Sequence, residues 1–180
     1  YDYNRIVKDL NGYTREEFLG RISEDFEVSV SGSRKPGDEL SEAELDRLMR
    51  PERKYEIGMY LCGSFYKLRL KEERISEVRD DPQRRLDVSV LQEFLLAPVL
   101  GIEDPRTDGR ISFVGGIRGL SELVRTVDQV AEKGAEAVAF AMYPTSMEEL
   151  FSVADAGLLM SPKSTWFEPK LRSGFLIHEF

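Results

Sequence analysis

Apolar and polar positions alternate along much of this chain, and the spacing of the alternation predicts where strands lie. Residues 25–30 repeat with a period of two, which is typical of a half-buried strand. Two apolar, aromatic-rich runs flank Cys62-Gly63 and predict a β-hairpin. A continuous run of small and apolar residues at 135–143 predicts a strand buried on both faces. The strands predicted in this way are 1–7, 25–30, 55–61, 64–70, 111–114, 135–143 and 174–180.

Helix starts are indicated by three capping boxes, which begin at Thr14, Ser41 and Ser146. In such a box the hydroxyl accepts from the backbone amide three residues later, and a glutamate at that later position reaches back to the cap. The second box lies in the region with the weakest pattern. Residues 31–54 are therefore predicted to be a flexible insertion or loop that carries a short helix.

Two longer helices follow from apolar residues that recur at helical spacing. One covers residues 86–100, with Pro98 expected to kink or tighten its last turn. The other runs from about 120 to 133, and a glycine follows each helix, as is common at helix ends. Residues 71–85 are rich in charge and are predicted to be a connector.

The order of these elements is strand, helix, hairpin, helix, strand, helix, strand, helix, strand. It predicts an α+β (mixed α/β) fold, with a mainly antiparallel sheet and helices packed on it. Residues 111–143 form the one predicted βαβ unit, which should be a right-handed parallel crossover if its strands are neighbours. The 180 residues suffice for a single domain. Because the strand pattern is already under way at Tyr1, we expect a C-terminal fragment of a longer protein.

Composition and charge narrow the classes of partner. The chain is 41% hydrophobic and 32% charged, as soluble globular proteins are. Its net charge of -8 repels phosphate backbones, so no nucleic-acid partner is expected. No apolar run approaches the roughly 20 residues that span a bilayer, so no membrane partner is expected either. A single cysteine, Cys62, fits a reducing compartment and predicts a cytoplasmic protein.

The first candidate for chemistry is the glycine-rich junction between strand 111–114 and the helix after it. Gly115 and Gly116 leave backbone amides open near a helix start, where negative charge is favoured. Arg118 adds a fork of donors for a carboxylate or a phosphate. The pattern matches neither a Walker A loop nor a dinucleotide fingerprint. It indicates either an anion site or a tight turn that requires positive φ.

A lysine- and hydroxyl-rich loop at 161–170 is the second candidate. Its two prolines stiffen the segment, and its cations and hydroxyls are suited to phosphate or carboxylate contact. The alternative is a rigid connection whose Trp166 and Phe167 pack on the core. The anion-binding residues proposed on this loop are Lys163, Ser164, Thr165 and Lys170.

Asn4 and Arg5, followed by Lys8 and Asp9, are the third candidate. Their charge predicts a solvated face, or else an Arg5 that faces a site built by residues upstream. Catalytic residues are not identifiable from the sequence. The single histidine, His178, has no second histidine or cysteine cluster with which to form a zinc site, so no metal site is predicted.

Several segments together resemble one family. They are 2–13, 86–91, 100–102, 113–120, 154–157 and 160–174. In this combination they resemble the second half of proteins grouped as domain of unknown function 1015 (DUF1015). The segment 113–120 is similar to the variant of the Bacteroidetes branch. Ser161 departs from the pattern, because many relatives have a proline there.

The resemblance implies an activity that lies partly outside this chain. In the family, an Asp-Gly-His-His-Arg motif precedes the position where this chain starts. That motif is similar to the motif of the ParB/sulfiredoxin-like free-serine kinases. The resemblance therefore implies a small-molecule phosphotransferase, to which this half contributes anion contacts. The alternative is a non-catalytic structural or dimerisation module.

The same resemblance implies partners and cofactors. The protein's own N-terminal domain is the expected partner, and a small-molecule ligand and a homodimer are further expectations. No cofactor is evident from these residues. ATP or ADP with Mg is implied for the full-length protein.

Overall fold

The computed structural model describes residues 3–35 and 37–159 of the chain. Within those ranges, none of the helices has the length and apolar character needed to cross a membrane. The strands are β1 (Tyr3–Val7), β2 (Phe26–Ser33), β3 (Glu56–Leu61), β4 (Ser64–Leu70), β5 (Ile111–Gly115) and β6 (Val138–Ala141). The helices are α1 (Arg15–Ile22), α2 (Glu42–Met49), α3 (Glu72–Val78), α4 (Asp87–Leu91), α5 (Ser121–Glu132) and α6 (Met147–Asp155).

One six-stranded sheet in the order β2-β4-β3-β6-β1-β5 organises the fold. Every neighbouring pair in it is antiparallel, which confirms the predicted α+β class. Because β1 is antiparallel to both β5 and β6, these two strands run parallel to each other. The predicted βαβ unit is therefore present, but its strands are not neighbours, since β1 lies between them.

Helices cover both faces of the sheet. On the first face, large side chains such as Met59 and Phe140 meet α1, α3, α4 and α6. On the second face, Tyr60 and the small Ala139 and Ala141 meet α2 and α5. The alternation of neighbouring residues between the two faces is the period of two seen in the sequence. Two separate core layers result.

Local sequence signals account for many element boundaries. Thr14 accepts from the Glu17 amide at 3.2 Å, and Ser41 accepts from the Glu44 amide at 3.2 Å, so both capping boxes form. Cys62 and Gly63 have φ of 48° and 81°, which suits the tight turn of a two-residue hairpin. The helix starts predicted at Thr14 and Ser41 and the hairpin predicted around Cys62-Gly63 are thereby confirmed.

Several segments differ from the predictions. The strand predicted at 135–143 is shorter in the structure, where it covers Val138–Ala141. β2 continues to Ser33 through an irregularity between Val30 and Gly32, because pairing with β4 extends the strand into the predicted loop. The predicted connector 71–85 contains α3, which starts after Lys71 without a side-chain cap. Because no side chain caps this helix, no capping motif marked its start in the sequence.

The helix predicted at 86–100 changes its geometry in the middle. α4 ends at Leu91, and a π-helix follows over Gln92–Leu96. The Ala97 amide accordingly donates to the Gln92 carbonyl, five residues back, at 3.1 Å. Of the two alternatives predicted for Pro98, tightening does not occur, because the helix widens ahead of the proline, and a kink stays a prediction. Proline has no N–H with which to continue an α-helical ladder.

Candidate functional site

The carboxyl ends of β5 and β6 lie at one edge of the sheet. Gly115 pairs with Tyr3 and Phe140 pairs with Arg5, so both strands end beside the start of β1. The helices α5 and α6 begin shortly after these strand ends. We call this edge, formed by residues 3–4, 115–118 and 141–144, the carboxyl edge. Ligands of open α/β sheets commonly bind in the crevice outside the carboxyl ends of parallel strands.

The glycine-rich junction is part of the carboxyl edge. Residues Gly116–Arg118 form a single 3-10 turn, and the Gly119 amide donates to the Gly116 carbonyl at 3.2 Å. Only Gly119 in this junction has positive φ, at 76°, so the tight-turn requirement falls on it and not on Gly115 or Gly116. Arg118 is exposed, and α5 starts without a side-chain cap.

The surroundings of the junction limit what it can hold. A Cβ at Gly119 would lie 3.0 Å from the carboxylate of Glu42, so a negative charge already adjoins the turn. Asn4 is buried, and its side-chain oxygen accepts from the Met142 amide at 3.0 Å. A cavity of about 30 Å³ beside Asn4 and Gly116 has room for little more than one water. A larger ligand would not fit in this cavity and would have to contact the exposed part of the carboxyl edge, which includes Arg118.

The second predicted candidate lies outside the described residues. This holds for the loop residues Lys163, Ser164, Thr165 and Lys170, and for His178 and the predicted strand 174–180. A meeting of this loop with Arg118 therefore stays a prediction.

Arg5 is buried in the sheet, so the prediction of a solvated face is wrong for it. The residue is 4% exposed, whereas Lys8 of the same run is exposed. The Arg5 guanidinium donates to the Tyr3 carbonyl and lies 5.2 Å from the centroid of the Phe113 ring. It borders a cavity of about 300 Å³ on the first face, which we call the Arg5 cavity. Its lining residues are Arg5, Val88, Gln92, Leu96, Glu103, Asp104, Pro105, Arg106 and Phe113.

A larger cleft lies on the second face, and the sequence did not indicate it. The Tyr60 hydroxyl donates to Asp128 at 2.7 Å, and Arg34 forms an ion pair with the same carboxylate. Burial raises the pKa of Tyr60 to about 12. Arg34 and Asp128 line two cavities of about 710 and 590 Å³, and we call these cavities together the Arg34 cleft. The central residues of the cleft, Arg34, Tyr60 and Asp128, come from distant segments of the chain, so no local sequence motif predicts it.

Cys62 lines one end of the Arg34 cleft. Its sulfur lies 3.5 Å from a carboxylate oxygen of Glu136. Burial raises the pKa of the Cys62 thiol, and the neighbouring Arg15 opposes that effect. A thiol with a raised pKa is a weak nucleophile at neutral pH, so the cleft holds no activated cysteine.

A third polar cluster lies beneath α6. The Asp87 side chain is fully buried, accepts from the Tyr55 amide at 2.7 Å and lies 3.4 Å from Lys54 Nζ. Burial raises the pKa of Asp87 to about 6, although the Lys54 ammonium opposes the shift. Glu149 lies 3.2 Å from Lys54 Nζ, so its carboxylate makes an ion pair while its amide donates to the Ser146 cap. This buried ion cluster borders none of the cavities described above.

No three His, Cys, Asp or Glu side chains are grouped to hold a metal ion within residues 3–35 and 37–159.

Residues 1–89 match the family model described as Protein of unknown function (DUF1015), which confirms the family predicted from the sequence. The matched range includes Asn4 and Arg5 but not the glycine-rich junction. No curated protein and no solved structure matches the chain.

Proposed function

We propose that this chain, which belongs to the DUF1015 family, supplies anion contacts to a cytoplasmic small-molecule phosphotransferase that resembles free-serine kinases. The observation that carries the proposal is the exposed Arg118 at the carboxyl edge, next to the uncapped start of α5. The proposed anion-binding residues are Gly115, Gly116, Arg118, Lys163, Ser164, Thr165 and Lys170.

The chemistry of phosphoryl transfer suits such a role. The reaction needs little covalent work from the protein and much neutralisation of negative charge. An arginine fork and open helix amides provide that neutralisation without a catalytic base. The cofactor would be ATP or ADP with Mg, and the catalytic motif would come from the protein's own N-terminal domain. The first described residue of β1, Tyr3, pairs with Gly115 at the carboxyl edge, close in sequence to Arg118.

The test is an assay of the full-length protein with ATP or ADP and free serine, together with a measurement of nucleotide affinity. Arg118→Ala and Lys163→Ala should each weaken nucleotide binding about tenfold, because each removes a charged hydrogen bond. Arg125→Ala is the matched control, since Arg125 is an exposed arginine of α5 that pairs with Glu122. Absence of turnover, together with unchanged nucleotide affinity in both variants, would remove the proposal.

A non-catalytic dimerisation module is the second candidate, and one observation favours it. Met147, Phe151 and Leu159 are large apolar residues on or just after α6, and they are 53%, 60% and 83% exposed. Exposed apolar side chains grouped on one segment are a common feature of protein interfaces. Light scattering of the full-length protein should then give a dimer mass that Phe151→Glu reduces to that of a monomer. A monomer mass for the unaltered protein would remove this candidate.

A further inference from the structure

We propose that residues 160–173, which we call the C-terminal segment, bind back onto α6 of the same chain and cover its exposed apolar side chains. The occupant of this surface is thus the protein's own chain, in place of the second copy considered above. The inference concerns an interaction surface and needs no nucleotide, so it goes beyond the proposed phosphate contacts.

The first argument is that α6 has two faces, of which one is packed on the rest of the protein. Glu149 and Val153 are four residues apart and share the packed face, where Val153 is buried and Glu149 pairs with Lys54. Residues two positions apart in a helix point in nearly opposite directions, so Phe151 lies on the other face together with Met147. These two side chains are 60% and 53% exposed, and we call their face the outer face of α6.

The second argument is that apolar exposure continues to the last described residue. Leu158 and Leu159 follow α6 and are 38% and 83% exposed. Burial of apolar surface is favourable by about 25 cal/mol per Å², so exposed apolar side chains grouped in this way are typical of an interaction surface. This surface leads directly into the C-terminal segment.

The third argument is the course of the chain at the end of α6. Gly157 has φ of 68°, and the Leu158 amide donates to the Val153 carbonyl at 3.0 Å. This bond is that of a Schellman motif, which ends the helix and takes the chain off the helix axis. Gln83 Nε2 then donates to the Leu159 carbonyl at 2.8 Å and holds the chain beside the turn after α3. The C-terminal segment therefore starts close to α6.

The fourth argument is the reach of the segment and its aromatic content. α6 has nine residues, and at about 1.5 Å per residue it is roughly 14 Å long. An extended chain covers about 3.3 Å per residue, so residues 160–166 span up to roughly 23 Å. Trp166 and Phe167 can therefore reach the whole outer face. Their rings offer the large apolar area that would cover Met147 and Phe151.

The fifth argument is charge, which favours this occupant over a second copy of α6. The helix has acidic residues at 148, 149 and 155 and no basic residue. The C-terminal segment has Lys163, Lys170 and Arg172 against one acidic residue, Glu168. Opposite charges favour contact and like charges oppose it, so α6 suits this segment better than it suits another α6. The covalent connection also raises the local concentration of the segment to roughly the millimolar range.

The direct test places a photoreactive residue on the outer face in the full-length protein. Phe151→p-benzoylphenylalanine keeps an aromatic ring at this position and should form cross-links within one chain to residues 160–173, identified by mass spectrometry of the peptides. The same substitution at Val30 is the control, because Val30 is 69% exposed on the edge strand β2, and it should form none to that segment. Cross-links from position 151 to a second copy or only to other regions, or the absence of cross-links, would overturn the proposal.

A second variant measures how much the outer face contributes. Phe151→Ala removes the apolar contact without adding charge, and it should speed amide hydrogen exchange in residues 160–173 at least tenfold. Val30→Ala is the matched control and should leave that exchange unchanged. A segment that already exchanges freely in the unaltered protein, or equal exchange in a folded Phe151→Ala protein, would contradict the assignment. Neither experiment uses nucleotide or depends on phosphotransfer, so this proposal and the proposed function fail independently.

Discussion

Helices cover both faces of the sheet, but the residues that pack against them differ between the two faces. The first face uses large side chains and four helices, and it encloses the buried ion cluster of Lys54, Asp87 and Glu149. The second face uses Gly58 and small alanines under two helices, and its polar network borders the open Arg34 cleft. On the second face α2 packs closely against Gly58 of β3, so a larger side chain at that position would force α2 to move. Burial of the Asp87 side chain on the first face makes its charge sensitive to pH.

The polar clusters around Asp87 and Asp128 differ in how far each carboxylate is exposed to solvent. Asp87 has a fully buried side chain, whereas the side chain of Asp128 is 37% exposed. Both carboxylates have a cationic partner, and burial raises the pKa of Asp87 because it penalises the charged form of that side chain. Four substitutions or titrations distinguish the two faces on this basis.

The largest effect is expected from Gly58→Ala on the second face. The added Cβ would lie 1.7 Å from the backbone oxygen of Met49, so α2 would have to move away from β3. We expect a loss of at least about 5 kcal/mol in the free energy of unfolding, measured by urea denaturation.

Gly20→Ala is the control for that substitution. Gly20 lies in α1 with no atom within 4 Å of the added Cβ, so the substitution should stabilise the protein by about 0.5–1 kcal/mol. Similar stabilities for the two variants would show that α2 does not pack on β3 as closely as described.

Asp87→Ala should be the most harmful change within the buried ion cluster. It removes the more deeply buried of the two carboxylates that pair with Lys54, and it leaves the Tyr55 amide without its Asp87 acceptor. A loss of about 3–5 kcal/mol is expected by denaturant unfolding at pH 7. The exposed Asp80→Ala is the control and should stay within about 0.5 kcal/mol of the unaltered protein.

Stability on the first face should also depend on pH in a defined direction. Because the folded pKa of Asp87 is raised from 3.8 to about 6, the folded state binds this proton more tightly than the unfolded state does. Asp87 therefore makes folding more favourable as pH falls from about 7 to about 4, by about 2 kcal/mol.

The measurement for this pH dependence is the difference in unfolding free energy between the unaltered protein and Asp87→Asn. The difference should shift in favour of the unaltered protein as pH falls. Asp104→Asn should shift in the opposite sense, since hydrogen bonds from Arg106 lower the pKa of Asp104. A difference for Asp87→Asn that does not vary with pH would contradict the assigned burial.

Tyr60→Phe on the second face should have the smallest effect. The substitution removes one hydrogen bond to Asp128, but Arg34 and solvent remain available to that carboxylate. We expect a loss of about 1 kcal/mol by thermal unfolding. A loss above about 3 kcal/mol would mean that Asp128 is as isolated from water as Asp87.

Local signals explain what the sequence predicted well. The capping boxes at Thr14 and Ser41 and the hairpin at Cys62-Gly63 involve residues within a few positions of one another. Glycines such as Gly134, with φ of 82°, end helices because glycine adopts positive φ without steric strain. Each of these features depends on a short stretch, so a pattern in the sequence suffices to predict it.

Contacts between distant segments explain what the sequence did not predict. The insertion of β1 between β5 and β6 depends on pairing across more than a hundred residues, and no periodicity encodes it. The Arg34 cleft unites a loop, a strand and a helix. In the sequence Arg5 is part of a charged run, so its burial was not predicted. Its burial results from strands that are distant in sequence and come together only in the assembled sheet.

The place of β1 in the sheet has a consequence for how the protein is made. Both partners of β1 lie beyond residue 89, where the family match ends. A chain cut at that position would retain β1 with neither partner, so the matched range is not a folding unit. During translation β1 must wait until Ala141 has left the ribosome before its second neighbour is complete. A truncation series should therefore give a stable protein only for chains that extend past β6.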